Sequence, residues 1–195
     1  MKSIPRFMKK SCGYFNRGEK NDMERGQLAK EYFLKGYNCS QAVVLAFSDL
    51  TGLEDGMAAR MASSFGGGMG RLREVCGAFS GMMIVFGILY GYDASSPTEK
   101  EEKALHYARI QELARRFREA NGALVCRELL ENHTKTLKAA KEKDKEQIDA
   151  MLSDSPVPTE RTEAYYQKRP CPDLCAVAAD ILDTYMRELK EEAIR

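Results

Sequence analysis

From Val75 to Gly91 the chain reads VCGAFSGMMIVFGILYG, a stretch without one charged side chain. Leaving so much apolar surface in water costs roughly 25 cal/mol per Å², so the segment demands a cover. A bilayer would need about 20 apolar residues; this run stops short of that and is interrupted by Gly77, Gly81, Gly87 and Gly91. The cover is therefore expected to be protein, and residues 75–90 are expected to form a central helix with other helices packed around it. A chain of 195 residues is long enough to supply them as one domain. No stretch alternates long enough to be a strand, and no repeat of 20 to 50 residues is visible. The expected fold is all-α: a single-domain bundle of about six to seven helices.

Charge narrows the partners. Thirty basic residues face 29 acidic ones, so no global field draws the chain to nucleic acid or to an anionic membrane. Residues 1–22 begin basic but lack the apolar core of a secretory signal, and read as a disordered extension to a helical domain over 23–195. A cytoplasmic location is expected, without a membrane span.

Local signals mark the helix ends. MERGQLAKEYFLKG repeats apolar residues at helical spacing, through Leu28 and Tyr32, and stops at Gly36. In NCSQAVVLAFSDLTG, Asn38 is placed as an N-cap with Gln41 as its box partner and Gly52 as terminator. LEDGMAARMASSFG predicts a third helix running into GGGMG, whose glycines permit positive φ or close backbone approach. The apolar helix follows from about Glu74. Ser96, Pro97 and Glu99 predict the start of a fifth helix that ends at Asn121 and Gly122, and ALVCRELLEN predicts a short one after it. Residues 135–158 are strongly charged and end in DSPVP, as in a solvated, variable insertion with no part in catalysis. In the last helix Cys171, Pro172 and Asp173 take the places of cap, first residue and dipole-compatible acid.

On this map the cysteines are ordered. Of six, Cys39, Cys76 and Cys171 fall at helix entrances and Cys126 in the first turn of its helix. The partial positive charge and unpaired N–H groups there favour thiolate over thiol and lower a cysteine pKa. Thiolates attack disulfides and bind metals; the alternative is that each sulfur is only a small buried hydrophobe. Gly77 and Gly81, four apart on one helix face, would let another backbone approach Cys76. Arg71 and Arg73 are expected at the solvated surface, or else as a source of positive potential near Cys76. Gly66, Gly67, Gly68, Gly70, Gly77 and Gly81 are the candidates for backbone contact with a bound group. Cys171 and Cys175 lie one helical turn apart and could pair. His106 and His133 lack metal-binding spacing and read as packing or surface residues, and no hydrolase or phosphate-loop motif is present.

GYNCSQAV, SFGGGMGRLREVCGAFSGMM, ALVCRELL and CPDLCAVAADIL, in that order, resemble the C_GCAxxG_C_C family. The resemblance covers about Gly36 to Asp183 and places the family's four cysteines at Cys39, Cys76, Cys126 and Cys171. Cys12 and Cys175 fall outside that pattern. The resemblance implies a small helical protein of bacteria or archaea with a proposed redox role, often encoded near transporters or oxidoreductases. Three functions stay open. The first is a thiol oxidoreductase in which the four cysteines converge, with Cys76 as the reactive thiolate and an oxidoreductase or transporter system as partner. In the second, the same four thiolates hold an iron–sulfur cluster or a zinc ion, with no cofactor assigned otherwise. The third is a helical interaction protein. A homodimer is expected if the helices do not themselves cover residues 75–91.

Overall fold

The structure is a computed structural model describing residues 24–92, 100–137, 152, 153, 155–167 and 169–194. Cys12, the Ser96 helix start and most of the charged insertion lie outside them. The helices are α1 (Arg25–Leu34), α2 (Cys39–Leu45), α3 (Ser48–Thr51), α4 (Asp55–Ala62), α5 (Gly77–Tyr90), α6 (Lys100–Asn121), α7 (Cys126–Leu137), α8 (Glu163–Gln167) and α9 (Cys171–Ile194). A 3₁₀ turn, Ser63–Phe65, follows α4. No strand is present among the described residues, and the all-α bundle is as expected.

The apolar helix α5 is the hub. Its face of Ala78, Phe79, Met82, Val85 and Phe86 is buried. Phe79 meets Phe117 of α6 with ring centroids 5.6 Å apart, and Phe86 meets Tyr185 of α9 at 6.0 Å. Gly81 presses against α2, where a Cβ would stand 2.7 Å from the Ser40 carbonyl oxygen. The neighbours thus bury this face within one chain, while Gly87 is exposed and Met83, Ile84, Ile88, Leu89 and Tyr90 are half-buried. None of the helices, among the described residues, is long and apolar enough to cross a membrane.

The first helix turns its core face one position away from Leu28 and Tyr32. Gly26, Ala29 and Phe33 are buried instead, while Leu28 and Tyr32 pack at the margin. The reason lies in α9: Asp180 Oδ1 accepts the Gly26 N–H at 2.7 Å, satisfying a first-turn donor, and any Cβ at Gly26 would collide with that carboxylate. Gly36 ends the helix at φ 106°, as the sequence suggests.

Two further boundaries differ. The second helix breaks at Ala46–Phe47 because Arg25 donates to the Ala46 carbonyl at 2.6 Å while it clasps Asp49 with two bonds of 2.7 Å. Leu50 N–H turns to Phe47 instead, and α3 continues to Gly52 at φ 68°. The central helix starts at Gly77 rather than Glu74, since Glu74 and Val75 run extended and Val75 pairs antiparallel with Val125. Cys76 N–H donates to Leu124 O at 2.9 Å and Cys126 N–H to Glu74 O at 2.6 Å. This short bridge ties together two cysteines that stand fifty positions apart in sequence.

Candidate functional site: a cysteine-lined cavity

Each of the four cysteines opens a helix. Cys76 is the N-cap of α5, while Cys39, Cys126 and Cys171 are the first residues of α2, α7 and α9. The last helix begins one position earlier than expected, at Cys171 rather than Pro172, with the Pro170 carbonyl before it accepting the Leu174 N–H at 2.9 Å. Cys39 is held by the capping box read from the sequence: Gln41 N–H donates to Asn38 Oδ1 at 2.9 Å and Asn38 N–H to Gln41 Oε1 at 3.0 Å. All four cysteines line a single cavity of about 290 Å³, together with Gly66, Gly67, Arg71, Arg73, Arg161 and Tyr165.

The GGGMG loop forms the floor by an unusual backbone path. Gly67, Gly68, Met69, Gly70 and Arg71 all have positive φ, between 60° and 74°, and Arg73 follows at 61°. A left-handed turn of this length strains L-residues by roughly 1–2 kcal/mol each, so Met69, Arg71 and Arg73 are held in place by their surroundings. At Gly68 a Cβ would lie 2.7 Å from the Cys126 Cβ, and at Gly77 it would lie 2.7 Å from Phe65 O and 3.1 Å from the Cys39 Cβ. Among the candidate glycines, Gly66, Gly67, Gly70 and Gly77 line the cavity. Gly68 lies under Cys126, and Gly81 packs on α2 without lining it.

The arginines are not where the sequence reading put them. Arg73 is 2% exposed, and Arg71 is half-buried at the cavity wall. Arg71 Nε donates to Ser155 O at 2.6 Å; Arg73 donates to Ser153 O at 3.1 Å and to Gly67 O at 3.4 Å. The Arg73 Nε is buried without a partner. Its positive charge acts on Cys126 and Cys171 rather than on Cys76.

Burial, not the helix ends, decides the state of the thiols. Cys76, 3% exposed, is pushed up to about 12 by desolvation and by the neighbouring Cys126; the N–H groups of Phe79 and Ala78 pull the other way but do not win. Cys126, 8% exposed, rises to about 11 through burial and Cys171, against the pull of Arg73 and Arg169. Cys39 is favoured as thiolate by a hydrogen bond from Cys171, yet Cys175 and burial leave its pKa well above the ordinary value. Cys171 is raised by its bond to Cys39 and by burial. The expectation of depressed pKa values is therefore reversed, and the resting cluster consists of neutral thiols.

Several partners escaped the sequence reading. Pro156 and Pro158, at the end of the expected insertion, and Thr159 just after it form one wall of the cavity. Arg161 crosses the wall, donating to Phe33 O at 2.8 Å and Tyr37 O at 2.9 Å while its guanidinium lies 4.6 Å from the Phe33 ring centroid. Arg169 and Tyr165 also line the space. The available signal was the run of arginines and tyrosines in RTEAYYQKRP, immediately before Cys171. Cys175, fully buried, sits beside the cluster with its S–H donating to Cys39 O at 3.6 Å. His106 packs against Phe86, 5.7 Å between ring centroids, away from the sulfurs.

The five described cysteines are free thiols. Among the described residues, no group of three or more His, Cys, Asp or Glu side chains is disposed to hold a metal ion, so the four thiols do not fit a shared tetrahedral centre. A family model described as "Putative redox-active protein (C_GCAxxG_C_C)" matches residues 37–185. No curated protein and no solved structure matches the chain.

Proposed function

The chain belongs to the C_GCAxxG_C_C family, and on that premise we propose that it is a thiol-based redox protein working through a reversible disulfide. The observation that carries the reading is the convergence of Cys39, Cys76, Cys126 and Cys171 on one cavity. Cys39 is the attacking thiol. It is half-buried where the other described cysteines are buried, and the S–H of Cys171 donates to it. That choice replaces Cys76, which is buried.

Attack by Cys39 on an acceptor disulfide breaks the acceptor's S–S bond and forms a mixed disulfide, with one acceptor sulfur leaving as a thiol. Cys171 then displaces the second acceptor sulfur and closes the Cys39–Cys171 bond. Two electrons and two protons pass from the pair to the acceptor. Cys76 and Cys126, tied by the backbone bridge, make up a second dithiol within the same cavity. Five free thiols among the described residues suit a reducing compartment, and the reading puts the protein in the cytoplasm beside a disulfide-bearing partner.

The test is a thiol count. The protein is purified without oxygen, counted for free thiols before and after a mild disulfide oxidant, and digested to identify the linked peptides. Loss of thiols in pairs, a Cys39–Cys171 link, recovery with reductant and loss of that link in Cys39→Ser are the expected results. Thiols that stay unchanged under the oxidant would sink the proposal, as would irreversible oxidation without any linked pair.

A further inference from the structure

The cavity carries a second property that sulfur chemistry does not require: it gathers positive charge. Arg71, Arg73 and Arg161 line it, along with the thiols and Tyr165, and none of the described lining side chains is a carboxylate. Arg71, Arg73 and Arg161 are held by other means. Their partners are the carbonyls of Ser155, Ser153, Gly67, Phe33 and Tyr37, with the Thr159 hydroxyl at 3.5 Å and the Phe33 ring. Such partners orient a guanidinium and leave its charge in place.

Arg73 is the sharpest case. It is 98% buried by the complement of its 2% exposure, it lines the cavity, and its Nε–H has no acceptor. Burying an unpaired cation is costly, and native proteins rarely tolerate one without an anion to meet it. Burial, with the like charges of Arg73 and Arg169 adding to it, lowers the pKa of Arg71. Three helices of twelve residues or more, α5, α7 and α9, also point their N-terminal ends into this space, and each carries partial positive charge there.

We propose that the cavity is a binding site for the oxyanion or carboxylate group of a small anionic molecule, received by Arg73, Arg71 and Arg161 beside the thiols. The volume of about 290 Å³ is at the lower end of the range for small-molecule sites. The redox reading is needed only to explain why an anion would be brought to sulfur; the binding itself does not depend on it.

The experiment uses the reduced full chain at fixed ionic strength in chloride, titrated calorimetrically with inorganic phosphate, sulfate and succinate separately. Saturable binding of at least one of the three, weakened about tenfold or more in Arg161→Gln, is the expected result, since one charge-assisted hydrogen bond is worth roughly 1.5–3 kcal/mol. Preference for phosphate or sulfate over succinate identifies a tetrahedral oxyanion, and the reverse a carboxylate. Arg73→Gln should abolish binding; because Arg73 also braces the loop, Arg161→Gln decides the matter if that variant does not fold. No saturable heat with any probe, or equal binding in Arg161→Gln and the parent, overturns the proposal. Thiol oxidation is not measured, so this failure is distinct from failure of the disulfide.

Discussion

Raising the pH sets two forces on Cys126 against each other. Burial and the nearby Cys171 oppose the thiolate, while Arg73 and Arg169 favour it, and the balance moves the pKa from an ordinary 9.0 to about 11. Each pH unit is a factor of ten in the ratio of thiolate to thiol, so at pH 8 the reactive fraction drops about a hundredfold, from roughly one in ten to one in a thousand. The folded chain keeps this proton up to about 11, whereas the unfolded chain releases it near 9. The resulting stabilisation is complete below pH 9 and is lost as the pH rises through about 11, with a ceiling of about 3 kcal/mol for this thiol. Short anaerobic pulses of iodoacetamide across a pH series, read by mass spectrometry of the cysteine peptides, measure the effect. Labelling of Cys126 should rise through about 11 and that of Cys76 through about 12, both above the same peptides in denaturant. A folded-state midpoint for Cys126 at or below 9 would refute the reasoning and show that charge and helix end outweigh desolvation.

Gly81→Ala should destabilise the fold by about 1–3 kcal/mol in denaturant unfolding, because its Cβ meets the backbone oxygen of Ser40 at 2.7 Å. Gly87→Ala, on the same helix with open space around it, should instead stabilise by about 0.5–1 kcal/mol; a loss would contradict the packing described. Asn38→Ala removes the cap beside Cys39 and should cost about 1 kcal/mol, with faster alkylation of Cys39 in the native protein as the accompanying sign.

The helical bundle was legible because its signals are local. The uncharged run from Val75, the capping box of Asn38 and Gln41, and the terminators Gly36, Gly52 and Gly122 each depend on residues within a turn or two. The placement of the cysteines at helix entrances was legible for the same reason. Their protonation was not, since N-terminal dipoles can be read along a chain while burial depends on helices brought from elsewhere. The start of α5 was missed because Val125, distant in sequence, draws Val75 into a bridge. The break after Leu45 came from Arg25, and the inward turn of Arg73 from a left-handed backbone whose glycines announced freedom without direction. Pro156 and Pro158 were assigned to a solvated insertion on composition alone, and only tertiary contact gives them, with Thr159 and Arg161, to the cavity.

The long helices α5, α7 and α9 each begin at a cysteine of the cavity, so the chemistry sits at their N-terminal ends and the rest of each helix carries none of it. A chain built in this way can vary its length at the periphery while the reactive centre keeps its shape.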